Sequence, residues 1–200
     1  MKTATTRVPA ARRRQQILEA ATELFARQGF HGTTTRQIAE KVGIKEIILF
    51  RLFPTKQDLY WAVIEATMQK KQATQNIPEL LKSGLDDRTL FRSLALSMME
   101  RDAQDPTLVR LLFFSALEAH ELSHRFARTY VADFYKTICD YIQQRIRDGA
   151  FRKVDPLFAA RAFFGMVFQY SLGCQLFGVK FEPKKAADTF TDLWLKGMQQ

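Results

Sequence analysis

The sequence predicts an all-α protein, about nine helices arranged as a small helix-turn-helix head and a larger helical body. Three observations predict it. Apolar residues recur at three- and four-residue spacing along most of the 200-residue chain, and no run alternates with the period of two that a strand requires. The periodic runs are punctuated by capping residues, Asp-Pro and Glu-Pro starts and Gly stops. Near the N-terminus two short amphipathic runs meet at Gly43, with the short Gly-containing link Val42-Gly43-Ile44-Lys45 that a helix-turn-helix needs.

The head reads in order as follows. Residues 1–11 form a tail of Thr, Ala, Pro and basic side chains. The first helix runs from about Arg12 to Gln28, with Ile17, Leu18, Ala21, Leu24 and Phe25 on its apolar face and Gly29 as its stop. The second spans Thr35 to Val42; Thr34 is its N-cap, and Gln37 three residues on completes a capping box. The third spans Glu46 to Leu52, and Phe53-Pro54 ends it because the residue before a proline is pushed out of the α region. Thr55 starts a fourth helix, with Asp58 in its first turn. The domain boundary falls here: 1–55 is tail and head, and 56–200 is the body, entered through a connecting helix at 56–75.

In the body, Pro78 and Gly84 break the pattern between Ile77 and Leu85. A fifth helix covers Asp87 to about Arg101. A sixth starts at Asp105-Pro106 and reaches about Ala119. A long seventh spans roughly Ser123 to Asp148, with Phe126, Tyr130, Phe134, Ile138 and Ile142 at helical spacing, and Gly149 ends it. Asp155-Pro156 starts an eighth helix that is apolar nearly all round, and Glu182-Pro183 starts a ninth.

Composition narrows the function. The chain is 46% hydrophobic and 26% charged, as a globular protein is, with a formal net charge of +9 and a pI near 9.7. Residues 1–60 hold 11 basic and 5 acidic side chains, so the surplus sits over the helix-turn-helix. A polyanion is the natural partner, and nucleic acid fits better than a membrane because no strongly basic amphipathic helix occurs. Cys139 and Cys174 form no CxxC pair and read as buried thiols in a reducing cytoplasm. The basic N-terminus precedes no apolar run, so no secretory signal is read. The most apolar stretch, Leu157 to Val179, contains Arg161, Gln169 and Gln175, which argues for a buried or subunit-facing helix over a membrane span.

The spaced residues ILEAATELFARQGFHGTTTRQIAEKVGI, LF and FPTKQDL resemble the N-terminal domain of the tetracycline-repressor (TetR) family of transcription regulators over roughly residues 12–65. Ile17, Ala20, Ala21, Leu24, Phe25, Gly29, Thr33, Thr34, Ile38, Ala39, Gly43, Phe53, Lys56 and Leu59 carry the likeness. The resemblance implies an all-helical homodimer that binds double-stranded operator DNA through the head and a small molecule through the body, with no cofactor and no enzymatic activity. It places DNA contacts at Thr34, Thr35, Arg36, Lys45, Glu46, Ile48, Phe50, Arg51 and Lys56, with Arg12, Arg13 and Arg14 available to phosphates. The groove-facing helix departs from the family pattern. Where members commonly carry Ser or Thr, Gly, Thr, Tyr and His or Tyr, this chain has Lys45, Ile47, Ile48, Phe50 and Leu52. Phe50 lacks a phosphate-donating hydroxyl, and Ile47 and Ile48 meet thymine methyls but make no bidentate base hydrogen bonds. Polar readout is left to Lys45, Glu46 and Arg51.

Met98, Met99, Phe113, Phe114, Leu117, Phe134, Phe164 and Phe168 lie on helices that surround a cavity in the family, and as a set they suit an apolar or aromatic effector. Plain core packing explains any one of them as well. The eighth helix carries Ala159, Ala162, Gly165 and Gly173, small residues that let helices approach closely. In the family the last two helices build a four-helix dimer interface. That places Ala159, Ala162, Phe163, Gly165, Met166, Tyr170, Phe190, Leu193 and Trp194 at the contact.

His120-Glu121-Leu122-Ser123-His124 matches HExxH, the zinc-peptidase motif, but falls at a helix junction. The better reading has His120 facing the ligand cavity. No phosphate-binding Gly loop or nucleophile-base set occurs. The function expected is a ligand-responsive regulator, a repressor released from a pseudo-palindromic operator. The alternatives are a helical small-molecule-binding protein with weakened DNA readout and a zinc hydrolase. Selective gel shifts and a metal assay separate the three.

Overall fold

The computed structural model describes residues 9–74, 77–118, 121–178 and 182–199; among them every regular element is helical and no strand occurs. The helices are α1 (Ala10–Gln28), α2 (Thr35–Val42), α3 (Glu46–Leu52), α4 (Lys56–Thr74), α5 (Ile77–Leu81), α6 (Asp87–Gln104), α7 (Thr107–Leu117), α8 (Glu121–Phe126), α9 (Ala132–Arg147), α10 (Pro156–Phe177) and α11 (Pro183–Met198). A π segment, Ala127–Val131, joins α8 to α9.

The starts follow local chemistry. The Thr34 hydroxyl accepts from Gln37 N at 3.1 Å and the Gln37 amide oxygen accepts from Thr34 N at 2.8 Å, so both halves of the capping box form. Thr55 and Asp58 make the same reciprocal pair ahead of α4, at 3.0 and 3.1 Å. Asp155 accepts from Leu157 N at 2.8 Å and Phe158 N at 3.2 Å, with Pro156 in the first helical position.

Two elements differ from the sequence expectation. The stretch broken by Pro78 contains the short helix α5, because a proline in the first turn forfeits only a donor that has no intrahelical acceptor. The single long helix expected at about 123–148 is interrupted: Ala132 N donates to Ala127 O, an i→i+5 bond that accommodates one extra residue per turn. Side-chain spacing still reads as helical through such a bulge, so periodicity does not reveal it.

The chain groups into two compact units. The first is Met1–Lys71 with Thr107–Ser123, and the second is Gln72–Pro106 with His124–Gln200. This division runs elsewhere than the sequence boundary at residue 55, since α4 as far as Lys71 and all of α7 group with the head. In the first unit Ile17, Ala21, Phe25, Ile38, Leu49, Leu59 and Tyr60 are fully buried, and the Phe25, Phe30 and Tyr60 rings pack edge-on and stacked at 4.8–6.2 Å.

The second unit has its own core. Phe91 of α6, Phe163 of α10 and Trp194 of α11 meet at ring separations of 4.3–5.2 Å, with Ile138, Ile142 and Phe151 around them. The Trp194 indole N–H donates to Ala159 O at 2.9 Å, satisfying the one polar atom this large side chain brings inside. Asp87 accepts from the Tyr141 hydroxyl at 2.7 Å and from Arg145 Nε and Nη2 at 2.9 and 2.8 Å, tying α6 to α9. Arg92 reaches Asp188 at 2.5 Å and Arg88 reaches Asp192 at 2.8 Å, tying α6 to α11.

Candidate nucleic-acid interface

The geometry of the head follows from which side chains it buries. Leu49 is the one residue of α3 that the core takes wholly, and Phe53 just past its end is also buried. Anchoring at 49 and 53 turns the opposite face outward, where Ile47 is 61% exposed, Phe50 40% and Ile48 36%, alongside exposed Lys45 and Arg51. Exposed large apolar side chains on a short helix cost solvation, which is tolerable where another surface covers them. Gly43 adopts φ 70 and ψ 38 at the turn, and its N–H donates back to the last carbonyls of α2, so α2 stops there and α3 can diverge.

The side chains expected to touch DNA take distinct local roles. Thr34 is committed to its cap. The Thr35 hydroxyl donates to the Glu46 carboxylate, a clamp between α2 and α3 that engages Glu46 within the motif. Arg36 is exposed and paired to Glu40 one turn on at 2.8 Å; such a surface pair is weak and exchangeable for a phosphate. Lys45 caps the start of α3 through its backbone alone, leaving its ammonium free of the cap. In α1, Arg12 and Arg14 are exposed and Arg13 half-buried; the Arg14 guanidinium lies 5.1 Å from the Phe53 ring centroid, and Arg13 donates to Gln16 at 3.1 Å. Lys56 Nζ sits 4.3 Å from the Phe30 ring centroid, and burial holds its ammonium below the usual lysine range against the opposing pull of Glu118. Ile47 is the most exposed apolar residue of α3.

The residues expected to contact an effector divide between the units. Phe113, Phe114 and Leu117 belong to α7 in the first, where Phe114 lies against the backbone of Gly29 and Leu117 is exposed. Met98, Met99, Phe134, Phe164 and Phe168 belong to the second. Met99 and Phe164 are buried in its core, the Phe134 and Phe164 rings meet edge-on at 4.7 Å, and Phe168 is half-exposed. Phe164, Phe168, Ser171 and Gln175 follow one face of α10, and the buried Ser171 Oγ and Gln175 Oε1 have no hydrogen-bond partner among the described residues. Gln175 Nε2 donates to Asp102 O at 3.2 Å, which sets the amide's orientation. His120 lies outside the described residues; among those that are described, His124 is exposed and no group of three His, Cys, Asp or Glu side chains is arranged to hold a metal ion.

Of the residues expected at a dimer contact, Phe163, Tyr170 and Trp194 point into their own core, Ala159 is buried beside them, and Met166 and Phe190 are half-buried. Ala162, Gly165 and Leu193 are exposed, and Ala162 and Leu193, with Phe158, 70% exposed, and Gly197, flank an apolar groove of about 420 Å³ between α10 and α11. α10 is long and apolar enough to cross a membrane by length and composition, and 44% of its most apolar window is buried within the protein.

Comparison with known proteins bears on both units. Residues 17–63 match the family of bacterial regulatory proteins described as the tetR family, and residues 88–191 match the C-terminal domain of AefR-like transcriptional repressors. The chain is 24% identical over 191 residues to the HTH-type transcriptional regulator YvkB of Bacillus subtilis, covering 92% of this chain and 96% of that one. It is 28% identical over 107 residues to the HTH-type transcriptional activator FasR of Mycolicibacterium smegmatis, covering 54% of this chain and 48%, about half, of that protein. The fold superposes on that of FadR from Bacillus subtilis, solved in complex with stearoyl-CoA, with a TM-score of 0.74 at 16% identity over 92% of this chain and 98% of that one.

Proposed function

We propose that this chain, which belongs to the TetR family of bacterial regulatory proteins, is a cytoplasmic, ligand-responsive repressor that a small, largely apolar effector releases from a pseudo-palindromic operator. The observation that carries the reading is the helix-turn-helix itself. Leu49 and Phe53 anchor α3 from behind, which leaves its outward face open to a major groove, and the exposure of Arg36, Lys45 and Arg51 supports contacts to phosphates and base edges. Because Glu46 is engaged by Thr35 and the centre of α3 is Ile47, Ile48 and Phe50, binding leans on phosphate charge and on apolar packing against thymine methyls.

Two heads on one pseudo-palindromic operator require a dimer. The face of α10 and α11 marked by Phe158, Ala162, Gly165, Leu193 and Gly197 supports pairing with a second copy, since it is apolar and its small residues let helices close on each other. For the effector, Met98, Phe134 and the half-exposed Phe168 of the second unit offer apolar surface. Ser171 Oγ and Gln175 Oε1, next to Phe164 and Phe168 along α10, favour a molecule that also offers a hydrogen-bond donor. FadR, bound to stearoyl-CoA in its crystal structure, is a fold neighbour whose ligand couples an acyl chain to a polar group, and acyl thioesters head the compounds to screen.

The test is selection of duplexes from a random-sequence pool, followed by binding isotherms over a range of salt. Arg36→Ala and Lys45→Ala should each weaken binding, and removing one phosphate-neutralising cation should flatten the log–log salt slope by about 0.9. Unchanged affinity and slope in both variants would overturn the placement of these two side chains on the DNA. A wild-type protein that enriches no duplex would favour the second reading that the exposed apolar face of α3 suggests, an effector-binding protein without selective DNA readout.

A further inference from the structure

The turn that carries the chain from α1 into the helix-turn-helix is held by a side chain 88 positions away. Phe30 N donates to Glu118 Oε2 at 3.2 Å, and His31 N donates to both carboxylate oxygens at 3.3 Å. Glu118 follows directly on α7, and two further bonds from the same helix region brace the same corner of the head. Arg110 Nε donates to Ala26 O, in the last turn of α1, at 2.7 Å, and the Tyr60 hydroxyl donates to Leu111 O at 2.7 Å. The helix thus sets a cation on the carbonyl end of α1 and an anion on the amides that follow it, each sign matching the backbone dipoles it meets.

The head is shaped for this arrangement. Gly29 sits at φ 74 and ψ −177, a conformation essentially reserved to glycine, and a Cβ there would lie 2.4 Å from Glu118 Oε1 and 3.0 Å from Phe114 Cδ1. From this turn the chain passes through Thr33, whose hydroxyl donates to Gly29 O at 2.8 Å, directly to Thr34, the N-cap of α2.

We propose that Glu118 is a latch, a positioning residue through which α7 holds the 29–34 turn and with it the start of α2 in the DNA-binding arrangement. Motion of α7 by about 1 Å carries the carboxylate out of hydrogen-bond range of both backbone N–H groups and releases the turn, which gives an effector acting on Phe113 or Leu117 a direct route to the head. This inference rests on the DNA-binding reading above.

The experiment compares wild type, Glu118→Ala and Glu118→Gln as full chains, using the duplex that wild type selects from a random pool. Glu118→Ala should bind that duplex at least about tenfold more weakly, the effect of losing one charge-assisted hydrogen bond. Glu118→Gln keeps an acceptor oxygen and should recover most of the loss. Amide hydrogen exchange should quicken in peptides spanning 29–34 in the alanine variant and stay at wild-type rates in α9–α11. Wild-type affinity in Glu118→Ala, or unchanged exchange across 29–34, overturns the latch. So does a loss that glutamine fails to recover. If wild type selects no duplex, the function fails instead, and the exchange measurement still decides whether Glu118 holds the turn.

Discussion

Gly29→Ala is the sharpest perturbation the structure offers, because two independent costs meet at one methyl group. The first is conformational: φ 74 with ψ −177 lies outside the regions open to an L side chain, a penalty of about 1–3 kcal/mol if the backbone stays. The second is steric. A Cβ 2.4 Å from Glu118 Oε1 must push the carboxylate back by about 1 Å to reach ordinary van der Waals separation, and that oxygen then leaves the His31 amide. Loosening a charge-assisted hydrogen bond of this kind costs about 1.5–3 kcal/mol. Phe114 Cδ1, already at 3.0 Å, blocks escape on that side. Together the substitution should destabilise the first unit by about 3–5 kcal/mol. Differential scanning calorimetry should show its transition lowered by about 10 °C or more. Gly43→Asn is the matched control: φ 70 and ψ 38 is the left-handed helical region that asparagine tolerates, and nothing lies within 4 Å of its Cβ position. Its cost should stay below about 1 kcal/mol. A Gly29→Ala protein that melts with wild type would refute the argument, showing that the turn re-forms without its glycine.

Three further outcomes can be measured. Asp87→Ala removes the acceptor shared by Tyr141 and Arg145 from a site where the carboxylate is 12% exposed, and should cost the second unit about 2–4 kcal/mol in urea denaturation; a change within experimental error would mean Arg145 finds Asp148 an equal partner. Leu193→Glu places a charge on the exposed apolar face of α11 and should convert a dimer to a monomer by light scattering with little change in helicity, and a persisting dimer would move the interface elsewhere. Burial, and to a lesser degree the Glu118 charge, pushes the Tyr60 hydroxyl well above the ordinary phenol range. The neutral form is therefore favoured in the fold, so its contribution to stability is complete below about pH 10 and is lost as pH rises past that value. Wild type should lose melting temperature above that pH faster than Tyr60→Phe, and parallel curves would count against it.

Much of the head was legible because its signals are short-range. Thr34 with Gln37, Thr55 with Asp58 and Gly43 each act on backbone groups within four residues, and the structure places every one of those boundaries where the residues indicate. The second unit was less legible. On α10, apolar side chains run almost all round, so periodicity could not say that Phe163 faces the core while Phe158 and Ala162 face outward. The π segment escaped for a related reason, since one added residue per turn barely disturbs an apolar pattern read at three- and four-residue spacing.

The helical class, the helix-turn-helix and the basic, unusually apolar character of its outward face are written in neighbouring residues, whose caps, period and charge act locally. That α7 groups with the head, that Glu46 is engaged by Thr35 and that Glu118 bonds the turn before α2 emerge with the folded chain. Those depend on which distant groups a side chain meets once the chain has closed on itself, and no local pattern encodes a pairing across 88 residues.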